Sequence, residues 1–271
     1  MNKIFLLLLL LVPPALIHAQ KSIDGLINAE KNFAAHSVAN GTKDAFLKFA
    51  DNEGIVFDQG KAVNAIETWN KREKRPGVLK WYPQFAEIAS SNDFGYTTGP
   101  WTFQANASND TIIARGQYTT VWHINSNGEW KFLLDLGVGN TPKILATSLK
   151  KIIAKKITGN VDTHNLLEAE QDFIALYKND RSGACKKYLS KQSIVNRNGQ
   201  LPETSRKDQV KVTETTPGNI EFTVVGSGIA SSGDMAYVYG NTIINSKQEN
   251  FLHIWRKEKQ GWKIALEVLR Y

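Results

Sequence analysis

Apolar residues recur in two successive patterns along this chain. Ile23, Leu26, Ile27 and Phe33 first follow the spacing of an amphipathic helix. A shorter helical stretch follows, and the apolar residues then alternate with polar ones, which is the period of a strand. The same succession begins again at Leu166. Helices followed by strands predict an α+β fold in which N-terminal helices cover a curved antiparallel sheet of about four strands.

Four segments of the first half reappear in the same order in the second half. These are AEKNF (29–33) with AEQDF (169–173), GIVFDQG (54–60) with SIVNRNG (193–199), IASSNDFGYTTG (88–99) with IASSGDMAYVYG (229–240), and VWHINSNGEWKFLLDL (121–136) with IWRKEKQGWKIALEV (254–268). The offset is about 140 positions and falls to about 133 in the last third, which predicts a longer hairpin in the first copy. Ordered matches indicate a duplication, and the period is too long for a solenoid. We therefore expect two tandem domains.

The first twenty residues, MNKIFLLLLLLVPPALIHAQ, have the pattern of a secretory signal. Lys3 precedes a short apolar run, and residues 17–19 end in the small side chain that a signal peptidase needs. The apolar run is too short to cross a bilayer. We expect a cleaved signal peptide over 1–19 and a secreted or periplasmic protein. The predicted division continues with a first domain at 20–138, a basic linker at 139–160 and a second domain at 161–271.

The positive charge is concentrated between the two predicted domains. The formal net charge is +7, and the stretch 139–160 contains five lysines and no acidic residue. A nucleic-acid-binding protein would carry its basic surface on the folded domains, so we expect no nucleic-acid partner. Packing of this linker between the domains is the favoured interpretation. The alternative is a basic amphipathic helix on an anionic membrane, for which the sequence offers four apolar residues: Leu145, Leu149, Ile152 and Ile153.

The segment AEKNFAAHSVANGTKDAFLKFADNEGIVFDQG resembles the opening of a SnoaL-like or DUF4440-type domain of the NTF2-like superfamily. WHINSNGEWKFLLDLGV resembles the last two strands of such a domain, and residues 166–271 have the same outline. The resemblance implies two tandem cone-shaped barrels, each with a pocket between sheet and helices. Members include ketosteroid isomerases, polyketide cyclases, dehydratases, and non-catalytic binding or association modules. The fold therefore leaves the function open.

Asp58 is the main candidate for a catalytic residue. It ends a short apolar strand and precedes Gln59-Gly60, and in the isomerases that the chain resembles an Asp in this place acts as a general base. The alternative is an Asp that forms the turn before glycine. The oxyanion donors of those isomerases have no counterpart at Phe33-Ala34-Ala35 or along the strand at 118–121. Arg197 occupies the position of Asp58 in the second copy.

His123 is the candidate acid or base to act with Asp58. Strand alternation places it on the opposite face from Trp122, so a polar residue on the outer sheet face is the alternative interpretation. Arg256 stands at the matching position of the second copy and supports an outward face.

The candidate ligand-binding residues are mostly aromatic, because small-molecule pockets are largely apolar with a few polar groups. In the second copy, His253 matches Thr120 and shares a face with Trp255, which makes it a pocket candidate. Plain core packing is the alternative for the aromatic residues. The candidates are Trp69, Tyr82, Tyr96, Trp101, Tyr237 and His253.

The last strand of each copy carries an acid, Asp135 or Glu267, four residues after a lysine, Lys131 or Lys263. Alternation with Trp130, Phe132 and Leu134 predicts that each lysine and acid share the outer face as a solvated or interface ion pair.

Cys185 is the only cysteine, so an internal disulfide and a cysteine-based metal site are excluded. We expect no metal and no cofactor. Three functions remain open. One is a non-catalytic pocket for a small apolar or polyketide-like molecule. The second is an isomerase, cyclase or dehydratase that uses Asp58, and the third is a structural pseudo-dimer or homodimer module.

Overall fold

The structure is a computed structural model. It describes residues 20–105, 111–140 and 148–271. The predicted signal peptide at 1–19 and Leu145 of the linker lie outside the described residues. Within those three ranges, no helix is both long enough and apolar enough to span a membrane.

The first domain runs from helix α1 to strand β7, and one further strand belongs to the linker. In chain order the elements are α1 (Ile23–Asn40), α2 (Thr42–Phe49), β1 (Ala50–Asp58), β2 (Lys61–Asn64), α3 (Ala65–Lys71), β3 (Val78–Trp81), β4 (Phe85–Ile88), β5 (Phe94–Gln104), β6 (Ile112–Ile124), β7 (Trp130–Gly139) and, in the linker, β8 (Lys150–Lys151). The candidate residue Trp69 lies in the short helix α3.

The second domain runs from helix α4 to strand β13. Its elements are α4 (Thr163–Asn179), α5 (Arg181–Tyr188), β9 (Leu189–Arg197), α6 (Arg206–Thr215), β10 (Glu221–Ile229), β11 (Met235–Ile244), β12 (Lys247–Glu258) and β13 (Gly261–Leu269). Helix α6 was not expected from the sequence, because RKDQVKVTET contains too few apolar residues to show a helical stripe.

Each domain contains one sheet, which confirms the α+β class. The strand order is β2-β1-β7-β6-β5-β4-β8 in the first sheet, with β3 also paired to β5, and β10-β11-β12-β13-β9 in the second. The expectation of a purely antiparallel sheet is wrong. The strand that follows the helices lies parallel to the last strand in both domains, β1 beside β7 and β9 beside β13. The matching neighbours show that the repeat in sequence is also a repeat in topology.

The hairpin that differs in length between the copies is β5–β6. In the second domain β11 and β12 are joined by Asn245 and Ser246, whose φ angles of 49° and 64° form a tight two-residue turn. In the first domain residues 105–111 separate the corresponding strands. This difference confirms the longer hairpin that the change of offset predicts.

The long helices begin at side-chain caps. Ser22 Oγ accepts a hydrogen bond from Gly25 N at the start of α1, and Asp162 Oδ1 accepts one from Asn165 N at the start of α4, each at 3.0 Å. The buried face of each helix packs on its own sheet. The residues that do so include Leu26 and Phe33 in α1, and Leu166 and Phe173 in α4.

A β-bulge in β7 changes which side chains face the helices. Trp122 pairs with Phe132, but the preceding residue, Val121, pairs with Leu134, so Leu133 is an extra residue in the strand. Phe132 therefore packs beneath the helices, whereas Leu134 packs with residues of the second domain. The strand β13 has its own register shift at the matching place.

The bulge overturns the expected ion pair between Lys131 and Asp135. The bulge lies between the two residues, so they do not share a face. Lys131 Nζ donates to the Lys48 carbonyl at 2.8 Å and lies 3.6 Å from Glu129. Asp135 instead faces the helices, where the hydroxyl of Thr120 donates to it.

The repeated segments IASSND and IASSGD pack against each other. Their central serines, Ser91 and Ser232, meet with their hydroxyl oxygens 3.2 Å apart. A serine hydroxyl also donates to an aspartate on each side of this contact: Ser90 to Asp234, and Ser231 to Asp93. Contacts between equivalent residues, with reciprocal contacts beside them, relate the two domains by a pseudo-twofold axis.

The sheets bury apolar residues against each other at this interface. Phe94 stacks on Tyr237 with ring centroids 6.2 Å apart. One continuous apolar cluster includes residues of both sheets, among them Val121, Leu134 and Leu136 of the first, and Leu252, Ile254 and Leu266 of the second. The face of each sheet that points away from its helices is therefore part of the core.

A buried ion pair crosses the same interface. The Arg256 side chain is 0% exposed, and its Nε donates to Glu87 Oε1 at 2.6 Å while a terminal nitrogen donates to Glu87 Oε2. The Tyr96 hydroxyl also donates to Glu87 Oε2, at 3.0 Å. Arg256 thus lies on the face expected from the sequence, but the other domain covers that face.

The described part of the linker, residues 148–160, packs along both domains and contains no helix. Strand β8 pairs with β4 in the first sheet, and Ile152 is 7% exposed within the interdomain cluster. Lys156 Nζ lies 3.5 Å from Glu87 Oε1. These contacts agree with packing between the domains rather than with an amphipathic helix.

We predict that Arg256→Met lowers the free energy of unfolding by about 4 kcal/mol, because the buried Glu87 carboxylate loses its two hydrogen bonds from the guanidinium, and the Lys156 amino group, at 3.5 Å, is the cationic partner that remains. Urea unfolding followed by tryptophan fluorescence would measure this change. The matched control is Lys74→Met, which breaks a surface pair with Asp44 in which the lysine is 67% exposed. Its expected effect is about 0.5 kcal/mol. Equal losses in the two variants would contradict a stabilising role for the interdomain pair.

Candidate functional site

A cavity of about 620 Å³ lies between the helices and the sheet of the first domain. Asn198 and Arg270 of the second domain also line it, so the cavity reaches the domain interface. Its walls are largely aromatic, with side chains from α1, α2 and strands β3, β5 and β6: Phe33, Phe46, Trp81, Trp101 and Tyr118.

Glu30 of α1 is completely buried beside this cavity. Its carboxylate accepts hydrogen bonds from Trp81 Nε1 at 2.5 Å, from Trp122 Nε1 at 2.9 Å and from the Thr97 hydroxyl. Burial raises the pKa of Glu30, and these hydrogen bonds act against the rise. The three donors are all neutral, so the hydrogen bonds described for this acid bring it no cation.

Asp135 lines the cavity directly, because the bulge in β7 turns it towards the helices. Thr120 Oγ1 donates to Asp135 Oδ2 at 2.7 Å. Burial raises the pKa of Asp135 from 3.8 to about 7, the Thr120 hydrogen bond lowers it, and the nearby Glu30 carboxylate raises it. Asp135 therefore changes its charge near neutral pH.

Tyr118 supplies a further polar group to the cavity wall. The residue is 5% exposed, and its hydroxyl makes no hydrogen bond of good geometry with the described residues, although the Thr97 hydroxyl lies nearby. Burial and the Glu30 carboxylate raise the pKa of Tyr118 well above its ordinary value. The hydroxyl thus stays protonated at neutral pH.

The second domain has a buried ion network at the corresponding place. His253 Nδ1 lies 2.8 Å from Glu170 Oε1, and His253 Nε2 lies 3.2 Å from Glu267 Oε2. Arg197 forms an ion pair with Glu267, and Trp255 Nε1 donates to Glu170 at 2.7 Å. All four ionisable side chains are fully buried.

Two cations compensate the two acids of this network. Burial acts to lower the pKa of His253, but the carboxylates of Glu170 and Glu267 raise it to about 9. Burial acts to raise the pKa of Glu267, but Arg197 and His253 lower it to about 2. The network therefore pairs two acidic side chains with two cationic ones.

The repeat makes the two sites comparable residue by residue. The equivalent pairs are Glu30 with Glu170, Trp122 with Trp255, Thr120 with His253, Asp135 with Glu267, and Asp58 with Arg197. Both acids are thus present in the first domain, whereas neither cation of the second domain has a cationic counterpart there.

Asp58 lies outside the aromatic cavity. Its side chain is 46% exposed and forms an ion pair with Arg72 at 3.1 Å. Both residues line a separate cleft of about 730 Å³, together with Trp69. The Arg72 guanidinium stacks 4.6 Å from the Trp69 ring centroid.

His123 lies on the interdomain face of its sheet, opposite Trp122, as alternation predicts. Its Nε2 is 2.8 Å from Asp51 Oδ2. It borders a small space of about 240 Å³, which is also lined by Gly228 and Tyr237 of the second domain. The structure does not bring His123 and Asp58 together.

Five of the six predicted ligand-binding residues lie in four different surroundings, and Tyr82 lies in none of them. Trp101 lines the aromatic cavity, whereas Tyr82 does not. Tyr96 and Tyr237 belong to the interdomain apolar cluster. Trp69 borders the separate cleft, and His253 is part of the ion network. Within the described ranges, no group of three or more His, Cys, Asp or Glu side chains is placed to hold a metal ion.

The polar groups of the cavity were missed from the sequence. Asp135 was placed on the wrong face because a bulge leaves no mark in an alternating pattern. The sequence drew attention to Tyr118 only because the strand at 118–121 lacks the oxyanion donor of the isomerases. Glu30 and Glu170 did leave a signal, since AEKNF and AEQDF keep a glutamate within an apolar helical stretch.

No family model matches the sequence, and no curated protein matches it. Solved structures of similar fold include an NTF2-like protein of unknown function from Shewanella oneidensis, with 13% identity, a TM-score of 0.33, and coverage of 40% of this chain and 98% of that one. Nuclear transport factor 2 from Cryptosporidium parvum has 12% identity, a TM-score of 0.35, and coverage of 42% and 98%. A DUF3225-family protein of unknown function from Pectobacterium atrosepticum has 11% identity, a TM-score of 0.34, and coverage of 38% and 85%. The similarity to these structures is one of fold alone.

We predict that Asp135→Asn stabilises the protein above pH 7 by about 2 kcal/mol, with a smaller gain at pH 5. The folded state holds the Asp135 proton up to about pH 7, whereas the unfolded chain releases it near pH 3.8. Wild-type stability from this group is therefore full below about pH 4 and is lost as the pH rises to about 7.

Thermal unfolding of both proteins between pH 4 and pH 8.5 would measure this difference. Asp172→Asn, on the exposed face of α4, is the matched control and should change stability little. A difference between wild type and Asp135→Asn that does not vary with pH would contradict the prediction.

Proposed function

We propose that this protein is exported and binds a small, largely apolar molecule in the aromatic cavity of its first domain, without catalysing a reaction. The observation that supports this function is the cavity itself. Its volume of about 620 Å³ is within the range of small-molecule sites, and its aromatic walls carry few polar groups.

We further propose that each domain is a cone-shaped barrel of the NTF2-like type. Three features support this: the sequence resemblance of both copies, the helices that precede each sheet, and the sheet order that the two copies share. In such a cone the ligand would enter between the helices and the sheet, where the cavity of the first domain lies.

The enzymatic alternative needs Asp58 inside a cavity and near a second polar group. Asp58 is about half exposed beside Arg72, and His123 bonds to Asp51 on another face of the sheet. Neither contact supports Asp58 as a general base.

A structural role for the second domain is a separate proposal, favoured by the reciprocal contacts across the pseudo-twofold axis. The second domain then serves as the intramolecular partner that covers the open face of the first sheet. Its buried ion network fits this role, because the side chains of Arg197 and His253 are fully buried next to the acids of that domain.

We predict that Gly137→Leu abolishes binding of a neutral apolar dye, N-phenyl-1-naphthylamine, to the mature protein. Gly137 lines the cavity, and an added Cβ would meet Gln117 O and Trp101 Nε1 at 3.4 Å, which is ordinary contact distance. The leucine should fill the cavity without disturbing the strand, and dye fluorescence should show at least about a tenfold loss of affinity.

Thr223→Leu is the control for this variant, because it adds the same side chain at an exposed position of the edge strand β10. It should bind the dye as the wild type does. Unchanged dye binding by a folded Gly137→Leu protein would exclude the cavity as the binding site.

The export proposal has its own test. Expression of the full chain in a bacterium should give a periplasmic or secreted product whose N-terminal residue is Gln20, determined by intact mass and N-terminal sequencing. An unprocessed product that stays in the cytoplasm would contradict it.

A further inference from the structure

We infer that the molecule bound in the cavity of the first domain is an organic cation, namely an amine, amidine or guanidine carried by an apolar body, and that Asp135 pairs with its charge. This inference rests on the proposed function, since it assigns a chemical class to the ligand of that cavity. It is carried by the comparison of the two copies within one chain.

The second domain shows which chemistry completes this arrangement of acids. There the carboxylate of Glu267 pairs with the guanidinium of Arg197 and also contacts His253. Both cationic side chains are fully buried and come from the chain itself. In the second domain, the buried acids are therefore paired with cationic side chains of the chain itself.

The first domain keeps the acids and lacks both cations. Thr120 stands in place of His253, and Asp58 stands in place of Arg197 and points towards Arg72 at the surface. The carboxylate of Asp135 faces open cavity instead of a guanidinium. An organic cation in the cavity would restore the pairing that Arg197 provides in the second domain.

The other ionisable groups around Asp135 are compatible with a cationic ligand. The Glu30 carboxyl is a second acid near Asp135, and Tyr118 is a neutral member of the cavity lining. Arg270 is the cationic residue among those that line the cavity, and its Nε pairs with Glu249 at 3.1 Å. Arg270 is thus already paired with an acid, whereas the hydrogen bond described for the Asp135 carboxylate comes from a neutral hydroxyl.

The cavity walls suit the remainder of such a ligand. Cations are attracted to the faces of aromatic rings, and Trp provides the strongest attraction. Trp81, Trp101 and Tyr118 line the cavity together with two phenylalanines. The hydroxyl of Tyr118 is buried and has no hydrogen-bond partner of good geometry among the described residues.

The test uses three probes of one shape and different charge: 2-naphthamidine, which is a cation, 2-naphthamide, which is neutral, and 2-naphthoate, which is an anion. Isothermal titration of the mature protein at pH 8 should show the amidine binding at least about tenfold more tightly than the amide, with the anion weakest. The preference for the amidine should shrink as the pH falls to 5.5, because Asp135 takes up a proton.

Asp135→Asn should remove the preference for the amidine and keep the affinity for the amide within about threefold, which also shows that the variant is folded. Asp172→Asn, on the exposed face of α4, should keep the wild-type preference. Thr120→His, which introduces the counterpart of His253 next to Asp135, should weaken the amidine at least about tenfold.

Two kinds of failure are distinguishable. If the amide or the naphthoate binds as tightly as the amidine, or if the amidine does not displace the neutral dye, the ligand is not a cation, whereas cavity binding still stands. If neither the dye nor any probe binds in a way that Gly137→Leu abolishes, the proposed function itself is wrong. A preference that survives Asp135→Asn or that ignores pH also overturns the inference.

Discussion

The fold depends on sheets that are apolar on both faces. The helices of each domain cover one face, with Phe33 and Phe132 on that side in the first domain. Leu134 and Leu136 lie on the other face and need a second cover, which the other domain provides. Since burial of such residues is the main source of stability, neither sheet is complete by itself. In this chain, the second copy of the duplication provides that cover.

The same constraint explains which parts of the structure could be predicted. The helices, the tandem arrangement and the longer first hairpin follow from periodicity and from the offset of the repeat. The parallel pairing of β1 with β7 does not, because it depends on where a strand returns after two helices. Lys131 and Asp135 were misplaced because one extra residue, Leu133, reverses the faces of the strand beyond it.

The candidate site was harder to predict than the fold. Sequence reasoning favoured Asp58 because it ends an apolar strand, but the end of a strand is also where a side chain reaches solvent, and Arg72 holds it there. Tyr96 and Tyr237 were matched correctly by the repeat, and the structural role that they share is in the domain interface. The role proposed for the acids near the cavity comes from the comparison with the second domain, where the equivalent acids are paired with cations.

The two domains share one arrangement of buried acids but differ in the residues that surround them. In the second domain, His253 and Arg197 fill the space and satisfy both carboxylates, so the interior is closed. In the first domain, a threonine replaces the histidine and the arginine position is an exposed aspartate, so a hollow remains next to an acid. Burial of that acid then moves the pKa of Asp135 to about 7.

The pair formed by Arg256 and Glu87 means that the two halves of the chain are no longer interchangeable. Its mirror position across the pseudo-twofold axis holds His123 and Gly228, so the ion pair occurs once rather than twice. Two identical copies of the first half would place Glu87 near His123, and two of the second half would place Arg256 near Gly228, so neither would form the arginine–glutamate pair. The halves have become complementary, like the two different subunits of a heterodimer, and their covalent connection guarantees that each meets the other in equal amount.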